Sequence, residues 1–195
     1  MDWSAPIPLV TLDEFLVRQE WCGLLDYTLD RCDHFTNTGV LNDAGAPSVD
    51  TGYRRSRAIF DIGNYRQLFA NRLMTFLPHV RARLGLDEFA VTDIEIQLTA
   101  TNDGEFFRVH SDNRSDAVSS RALTFVYYFY REPKAFVGGE LRVYANGGGA
   151  YRVAYPLQNQ IVFFPSETLH EVLPVECPSG DFADSRFTVN GWLHR

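Results

Sequence analysis

From Val91 to its last residues the chain alternates short β-branched and aromatic runs with turn chemistry, and that cadence leaves few folds open. The first run, Val91 to Thr101, sets Ile94, Ile96 and Leu98 against Asp93, Glu95, Gln97 and Thr99. Period-two alternation marks a half-buried strand. Asn102-Asp103-Gly104 reads as a hairpin turn, with Glu105 to His110 as the returning strand. Arg121 to Tyr130, Glu140 to Tyr144, Tyr151 to Tyr155, Gln160 to Phe164, Leu169 to Val175 and Arg186 to Leu193 continue the series, and Asn146 to Gly149 reads as a turn. Strands at such close spacing predict a sandwich or jelly roll.

The upstream half reads differently. Between Arg18 and about His34, Trp21, Leu24, Leu25, Thr28, Leu29 and Cys32 recur at helical steps. A second helix is predicted over Tyr65 to Leu84, from Leu68, Phe69, Leu73, Phe76, Leu77 and Val80. Pro78 predicts a kink or break within it, and Gly85 a stop. Residues 36–52 carry loop chemistry, and Tyr53 to Phe60 reads as a strand. Helices before strands argue against a βαβ order. The expectation is one domain over 1–195, mainly β: a helical flank with short strands over 1–88 and a β core over 89–195.

Charge narrows the function. A net charge of −7 and a pI near 5.2 disfavour a general nucleic-acid binder. Arg54, Arg55 and Arg57 lie close together and read as a solvated strand or loop. Three cysteines without a CxxC pair read as reduced thiols, which suggests a cytoplasmic protein. Met1 to Pro6 has neither a basic nor an apolar region of signal-peptide type, and no apolar run is long enough to span a membrane.

The chemistry sits in the β half. His110 and Asp112 are two residues apart at a strand end, so both can face one side. His170 follows the apolar strand Ile161 to Phe164. Two histidines and one carboxylate form a facial triad that suits non-haem Fe(II) and leaves three coordination positions open. Zinc is the competing metal. Arg186 stands on the final strand and shares a face with Thr188, Asn190 and Trp192. An arginine inside a barrel needs an anion, and the far carboxylate of a dicarboxylic keto-acid fits a guanidinium. Thr188 and Asn190 are assigned to the same cosubstrate end. The Tyr128 hydroxyl can add a hydrogen bond there.

Taken in order, His110-x-Asp112, Arg121-x-x-Thr124-x-x-x-Tyr128, Gly138-Gly139-Glu140-Leu141, Val162-Phe163-Phe164, His170-Glu171-Val172-x-Pro174 and Arg186 before Gly191-Trp192 resemble the prolyl-hydroxylase-like branch of the 2-oxoglutarate- and Fe(II)-dependent oxygenases. The segment from Ser185 to His194 is similar to the catalytic domain of ribosomal-protein prolyl hydroxylases. The resemblance implies a double-stranded β-helix (a cupin-like jelly roll) with helices packed outside. It implies iron on His110, Asp112 and His170, and 2-oxoglutarate on Arg186 and Tyr128. Trp192, Arg121 and Phe107 would belong to the substrate pocket, and ascorbate would serve as reductant. The implied reaction couples decarboxylation of 2-oxoglutarate by O2, giving succinate and CO2, to hydroxylation of a C–H bond. Asp112 keeps a carboxylate where halogenating relatives carry a small residue, which favours hydroxylation.

The leading substrate class is a prolyl or other residue of a protein or peptide. A free amino acid or small natural-product intermediate is the runner-up, with loops 36–52 and 111–120 as walls or lids. A non-catalytic jelly-roll binding module is the alternative of another kind. A nucleic-acid demethylase is disfavoured by the acidic charge. The sequence leaves the oligomeric state open.

Overall fold

Alternation along three long strands explains how the molecule is layered. In β5 (Asp93–Thr101), β7 (Arg121–Phe129) and β12 (Arg186–His194), odd and even positions face two different cores. Ile96, Leu98, Phe125, Tyr127, Phe187 and Val189 join one apolar cluster with the helices, whereas Tyr128 joins a second with Leu141 and Val143. The computed structural model describes residues 7–41, 47–48, 50–145 and 149–195.

The larger sheet has seven strands in the order β1-β10-β7-β12-β5-β4-β2. Its remaining members are β1 (Val10–Leu12), β2 (Thr36–Asn37), β4 (Arg57–Ile59) and β10 (Gln160–Pro165). The smaller sheet runs β9-β8-β11-β6-β3, from β3 (Arg54–Arg55), β6 (Phe106–His110), β8 (Leu141–Tyr144), β9 (Tyr151–Ala154) and β11 (His170–Val172). All pairings within both sheets are antiparallel. The inner face of the larger sheet packs on the smaller one, giving the jelly roll expected from the strand cadence, in the double-stranded β-helix form that the family resemblance implies.

Register sets side chains in rows across the larger sheet. Thr188 lies opposite both Thr99 and Tyr128, and Trp192 opposite both Glu95 and Thr124. These rows face the smaller sheet. The alternate rows face α1 (Arg18–Leu29) and α2 (Tyr65–Leu84). There Phe69, fully buried, packs on Phe15 and Tyr127 at centroid distances of 5.8 and 5.3 Å. Burying each such side chain contributes about 1.5–3 kcal/mol. The Tyr127 hydroxyl is satisfied by Asn159 Oδ1 at 2.9 Å.

Several expectations are corrected in detail. The first helix ends at Leu29, and Cys32–His34 forms a separate 3-10 turn. Pro78 does not break α2, which continues to Leu84. The carbonyl that Pro78 frees belongs to Met74, on the exposed side of the helix, where water can replace the lost donor. Gly85 caps it with φ 67°. The predicted strand from Tyr53 to Phe60 divides at Ser56, because Arg54–Arg55 pairs with β6 while Arg57–Ile59 pairs with β5. Leu169 to Val175 divides likewise: Val175–Glu176 leaves the sheet to pair with Val137–Gly138. Within the loop predicted over 36–52, Thr36–Asn37 pairs with β4. Most of the proposed Asn146 to Gly149 turn, and residues 42–46 of that loop, lie outside the described residues. No helix among the described residues is long and apolar enough to cross a membrane.

Candidate active site

β6 ends at His110 and β11 begins at His170, and the two residues are register partners. Pairing puts their rings 4.1 Å apart, centroid to centroid. His110 Nδ1 lies 2.8 Å from the Arg108 carbonyl and His170 Nδ1 lies 2.9 Å from the Thr168 carbonyl. A carbonyl only accepts, so each Nδ1 carries the proton and each Nε2 offers its lone pair. Both lone pairs meet Asp112: His110 Nε2 is 3.5 Å from Oδ1 and His170 Nε2 is 3.5 Å from Oδ2. Ligand atoms of the three residues all lie within 4.8 Å of one another, so they could hold one metal ion.

Asp112 is not held by strand pleating. It sits just past the end of β6, and hydrogen bonds fix it instead. Its N–H donates to the Ser166 carbonyl at 2.8 Å, and its own carbonyl accepts from Arg121 Nη1 at 3.1 Å. The Thr124 hydroxyl donates to Oδ2 at 2.7 Å. Burial pushes the Asp112 carboxyl up, but His170 and His110 more than reverse this and hold it below the usual carboxylate range. Burial and the neighbouring His110 pull His170 down to about 4, against the opposing pull of Asp112. The imidazole is therefore neutral at pH 7, the form that ligates a metal.

The triad opens into a cleft between the sheets whose lining runs from Arg54 to Arg186. Arg186 is 3% exposed at its inner end, with its guanidinium carbon 5.0 Å from the Tyr128 ring centroid. Burial lowers the Arg186 pKa and raises that of Tyr128, and each partly offsets the shift of the other. Among the described residues, Arg186 Nε, the Tyr128 hydroxyl, Gln97 Nε2 and Trp192 Nε1 are buried with no hydrogen-bond partner. Buried polar groups are normally satisfied. A guanidinium and a phenol left open together suit a bound carboxylate, and two imidazoles with a carboxylate suit iron. The residues present thus fit both groups.

His110, Asp112, His170, Phe107, Arg186, Thr188, Asn190 and Trp192 all line this cleft. Tyr128 lies behind the wall, against Arg186. Asn190 Oδ1 accepts from Thr99 at 2.9 Å and from Thr188 at 3.3 Å. Arg121 does not reach the cleft wall. It pairs with Glu95 at 2.7 Å and stacks over Trp192 at 3.6 Å, which leaves its charge already matched. Two contributors were given no role in the sequence reading. Thr124 precedes Tyr128 by four residues on one strand, so the period-two rule that turns Tyr128 inward also turns Thr124 inward. Arg54 enters the cleft because the chain changes sheets at Ser56, which no local pattern signals.

Residues 96–194 match the family described as the 2OG-Fe(II) oxygenase superfamily. An uncharacterised PKHD-type hydroxylase of Synechocystis is 37% identical over 194 residues. The match covers 94% of this chain and 62% of that relative, so the chain spans less than two thirds of its length. A prolyl-4-hydroxylase of Pseudomonas putida shares the fold with a TM-score of 0.71 at 20% identity, over 97% of this chain and 94% of its own. A prolyl hydroxylase of Trichoplax adhaerens, solved with a hypoxia-inducible-factor peptide fragment, aligns with a TM-score of 0.69 at 18% identity, over 97% and 84% of the two chains. With a match to half its length in that family and a prolyl hydroxylase-like fold throughout, the chain belongs to the 2OG-Fe(II) oxygenases, which use Fe(II), 2-oxoglutarate and O2.

Proposed function

We propose that this protein hydroxylates a C–H bond of a prolyl or other residue in a protein or peptide, while 2-oxoglutarate is decarboxylated to succinate and CO2. The observation that carries the reading is the buried Arg186 guanidinium, unpaired at Nε beside an unpaired Tyr128 hydroxyl, at the inner end of a cleft that also holds the triad. An uncompensated buried cation is costly, and a carboxylate there removes the cost.

In this reading His110 Nε2, His170 Nε2 and a carboxylate oxygen of Asp112 hold Fe(II). Arg186 pairs with the far carboxylate of 2-oxoglutarate, and Tyr128 donates its hydroxyl proton to the same group. Thr188 and Asn190 wall that end. Bound together with 2-oxoglutarate, the metal supplies O2 activation and oxidation of the substrate C–H bond. The apolar side chains around the triad, Val126, Leu141 and Val172, keep water from the reacting centre. A peptide substrate is supported by the Trichoplax neighbour, which was solved with one.

The test has two stages. Anaerobic addition of Fe(II) and 2-oxoglutarate is expected to give a visible metal-to-ligand charge-transfer band. Aerobic assay with ascorbate as reductant is expected to release succinate faster with prolyl peptides than without. Absence of the band sinks the oxygenase reading. A band with faster turnover on free amino acids, and none on peptides, moves the substrate class.

A further inference from the structure

Besides Arg186 the cleft is lined by Arg54 and Arg55, which keto-acid binding leaves unused, and Arg54 is the one stacked toward the triad. Arg54 is the register partner of Phe107, and its side chain reaches the cleft. Its guanidinium carbon lies 4.6 Å from the Phe107 ring centroid. Phe107 stacks on His110 at 3.5 Å with ring planes 18° apart. His110, Phe107 and Arg54 therefore form a column running outward from the triad.

That column leaves Arg54 short of partners. Its Nε donates to Ser56 Oγ at 3.1 Å, and no carboxylate pairs with it among the described residues. Among the described residues, the acids within reach are already committed. Asp112 is held by His110, His170 and Thr124. Glu105 accepts the Asn102 N–H at 2.7 Å and faces the charges of Arg57 and Arg55. Burial draws Arg54 down to about 10, with Asp112 opposing. A guanidinium drawn out of water needs an anionic partner.

2-Oxoglutarate cannot be that partner in the reading above. Arg186 packs against Gly139, just before β8, whereas Arg54 is on β3. The two histidine-bearing strands, β11 and β6, lie between β8 and β3. The two arginines thus stand on opposite sides of the triad, and a single short keto-acid anchored on Arg186 ends at the metal.

We propose that Arg54, seated on the Phe107 ring, anchors a carboxylate of the substrate on the side of the triad away from Arg186. The inference rests on the oxygenase reading. A guanidinium whose face covers an aromatic ring offers its edge, which suits a planar carboxylate in two parallel hydrogen bonds. Such a carboxylate can come from the chain end of a small amino-acid substrate or from an acidic side chain of a peptide.

Paramagnetic line broadening tests this without turnover, using Mn(II) in the triad and 2-oxoglutarate in the cleft. Four probes are compared: N-acetyl-L-proline, N-acetyl-L-prolinamide, acetyl-Glu-Pro-amide and acetyl-Gln-Pro-amide. At least one carboxylate probe is expected to broaden at least fivefold more than its neutral counterpart. Which one does so identifies the source of the carboxylate. Arg54→Gln is expected to abolish that excess and Arg54→Lys to keep part of it, while both still broaden 2-oxoglutarate, which shows that they fold. Equal broadening of charged and neutral probes, or an excess that survives in Arg54→Gln, overturns the inference and leaves the oxygenase reading standing. If 2-oxoglutarate itself is not broadened by the wild-type Mn(II) protein, the oxygenase reading falls and the inference with it.

Discussion

Thr124 Oγ1 donates a 2.7 Å hydrogen bond to Asp112 Oδ2, the same oxygen that lies 3.5 Å from His170 Nε2. Ser166 Oγ is 3.0 Å from Thr124 Oγ1 and can supply the next link. Asp112 stands outside the strand, so this relay, together with Ser166 and Arg121 on its backbone, decides where its oxygens point.

Thr124→Val keeps the shape of the side chain and removes the donor. Metal affinity is expected to fall about 10- to 100-fold, the usual cost of losing a hydrogen bond that orients a ligand. Thr124→Ser is expected to restore most of it. Titration with Mn(II) measures both, and an unchanged affinity in the valine variant would place control of Asp112 with its backbone contacts alone.

Arg186→Ala is expected to weaken 2-oxoglutarate binding by about 3–5 kcal/mol, the scale of breaking one buried charged pair. Metal affinity should hold, because none of the three triad residues bonds to Arg186. Titration of the charge-transfer band reads cosubstrate binding, and Mn(II) titration reads the metal. Equal loss of both would mean that the substitution collapses the cleft.

Gly139 offers a gentler perturbation of the same group. A Cβ there would lie 2.6 Å from Arg186 Cδ and 2.8 Å from Val175 Cγ2, on a backbone with φ +69°. Gly139→Ala is expected to push Arg186 off its position and raise the KM for 2-oxoglutarate several-fold, with metal affinity retained. An unaltered KM would show that the guanidinium tolerates the shift.

How much of this could be read from the chain depends on the range of each interaction. His110, Asp112 and His170 were legible because ligand type and strand spacing are local properties. The common face of Arg186, Thr188, Asn190 and Trp192 was legible because β12 runs without a bulge through those four positions. Arg121 was misplaced because its partner Glu95 is distant in sequence, and only the strand order brings the pair together. Arg54 read as part of a solvated cluster because Arg55 and Arg57 beside it share its charge, and only the change of sheet at Ser56 carries it to the cleft. Pro78 read as a kink or a break because its missing donor is a local fact, whereas the packing of Phe69, Leu73, Leu77 and Val80 that keeps α2 continuous is tertiary.

That packing makes its own prediction. Phe69→Ala empties a site between Phe15 and Tyr127 and is expected to cost about 3–5 kcal/mol of stability. Tyr127 faces the helices and Tyr128 the smaller sheet, so the folded variant should bind 2-oxoglutarate as the wild type does. Urea denaturation and band titration separate the two effects. A variant that loses cosubstrate affinity without losing stability would contradict the two-faced role of β7.

The segment that leads into β12 carries the pH-dependent prediction. The Ser179 hydroxyl donates to Asp184 Oδ2 at 2.7 Å, and Arg131 pairs with Oδ1. Ser179 and Arg131 hold the Asp184 carboxyl below its ordinary range, against burial. A carboxyl depressed in the folded state binds protons less readily there than in the unfolded chain. Its stabilisation is therefore complete above the ordinary carboxylate range and is lost as pH falls through the depressed value. Asp184→Asn keeps the shape and removes the charge. At pH 7 the variant is expected to unfold at lower urea than the wild type. The gap should begin to narrow as pH falls through the ordinary carboxylate range and close below the depressed value, where the wild-type residue is itself neutral in the folded state. Because Asp184 stands two residues before Arg186, the variant should also loosen cosubstrate binding modestly at pH 7. A gap in urea midpoint that stays constant from pH 7 to strongly acidic solution would assign the effect of Asp184 to packing in place of charge.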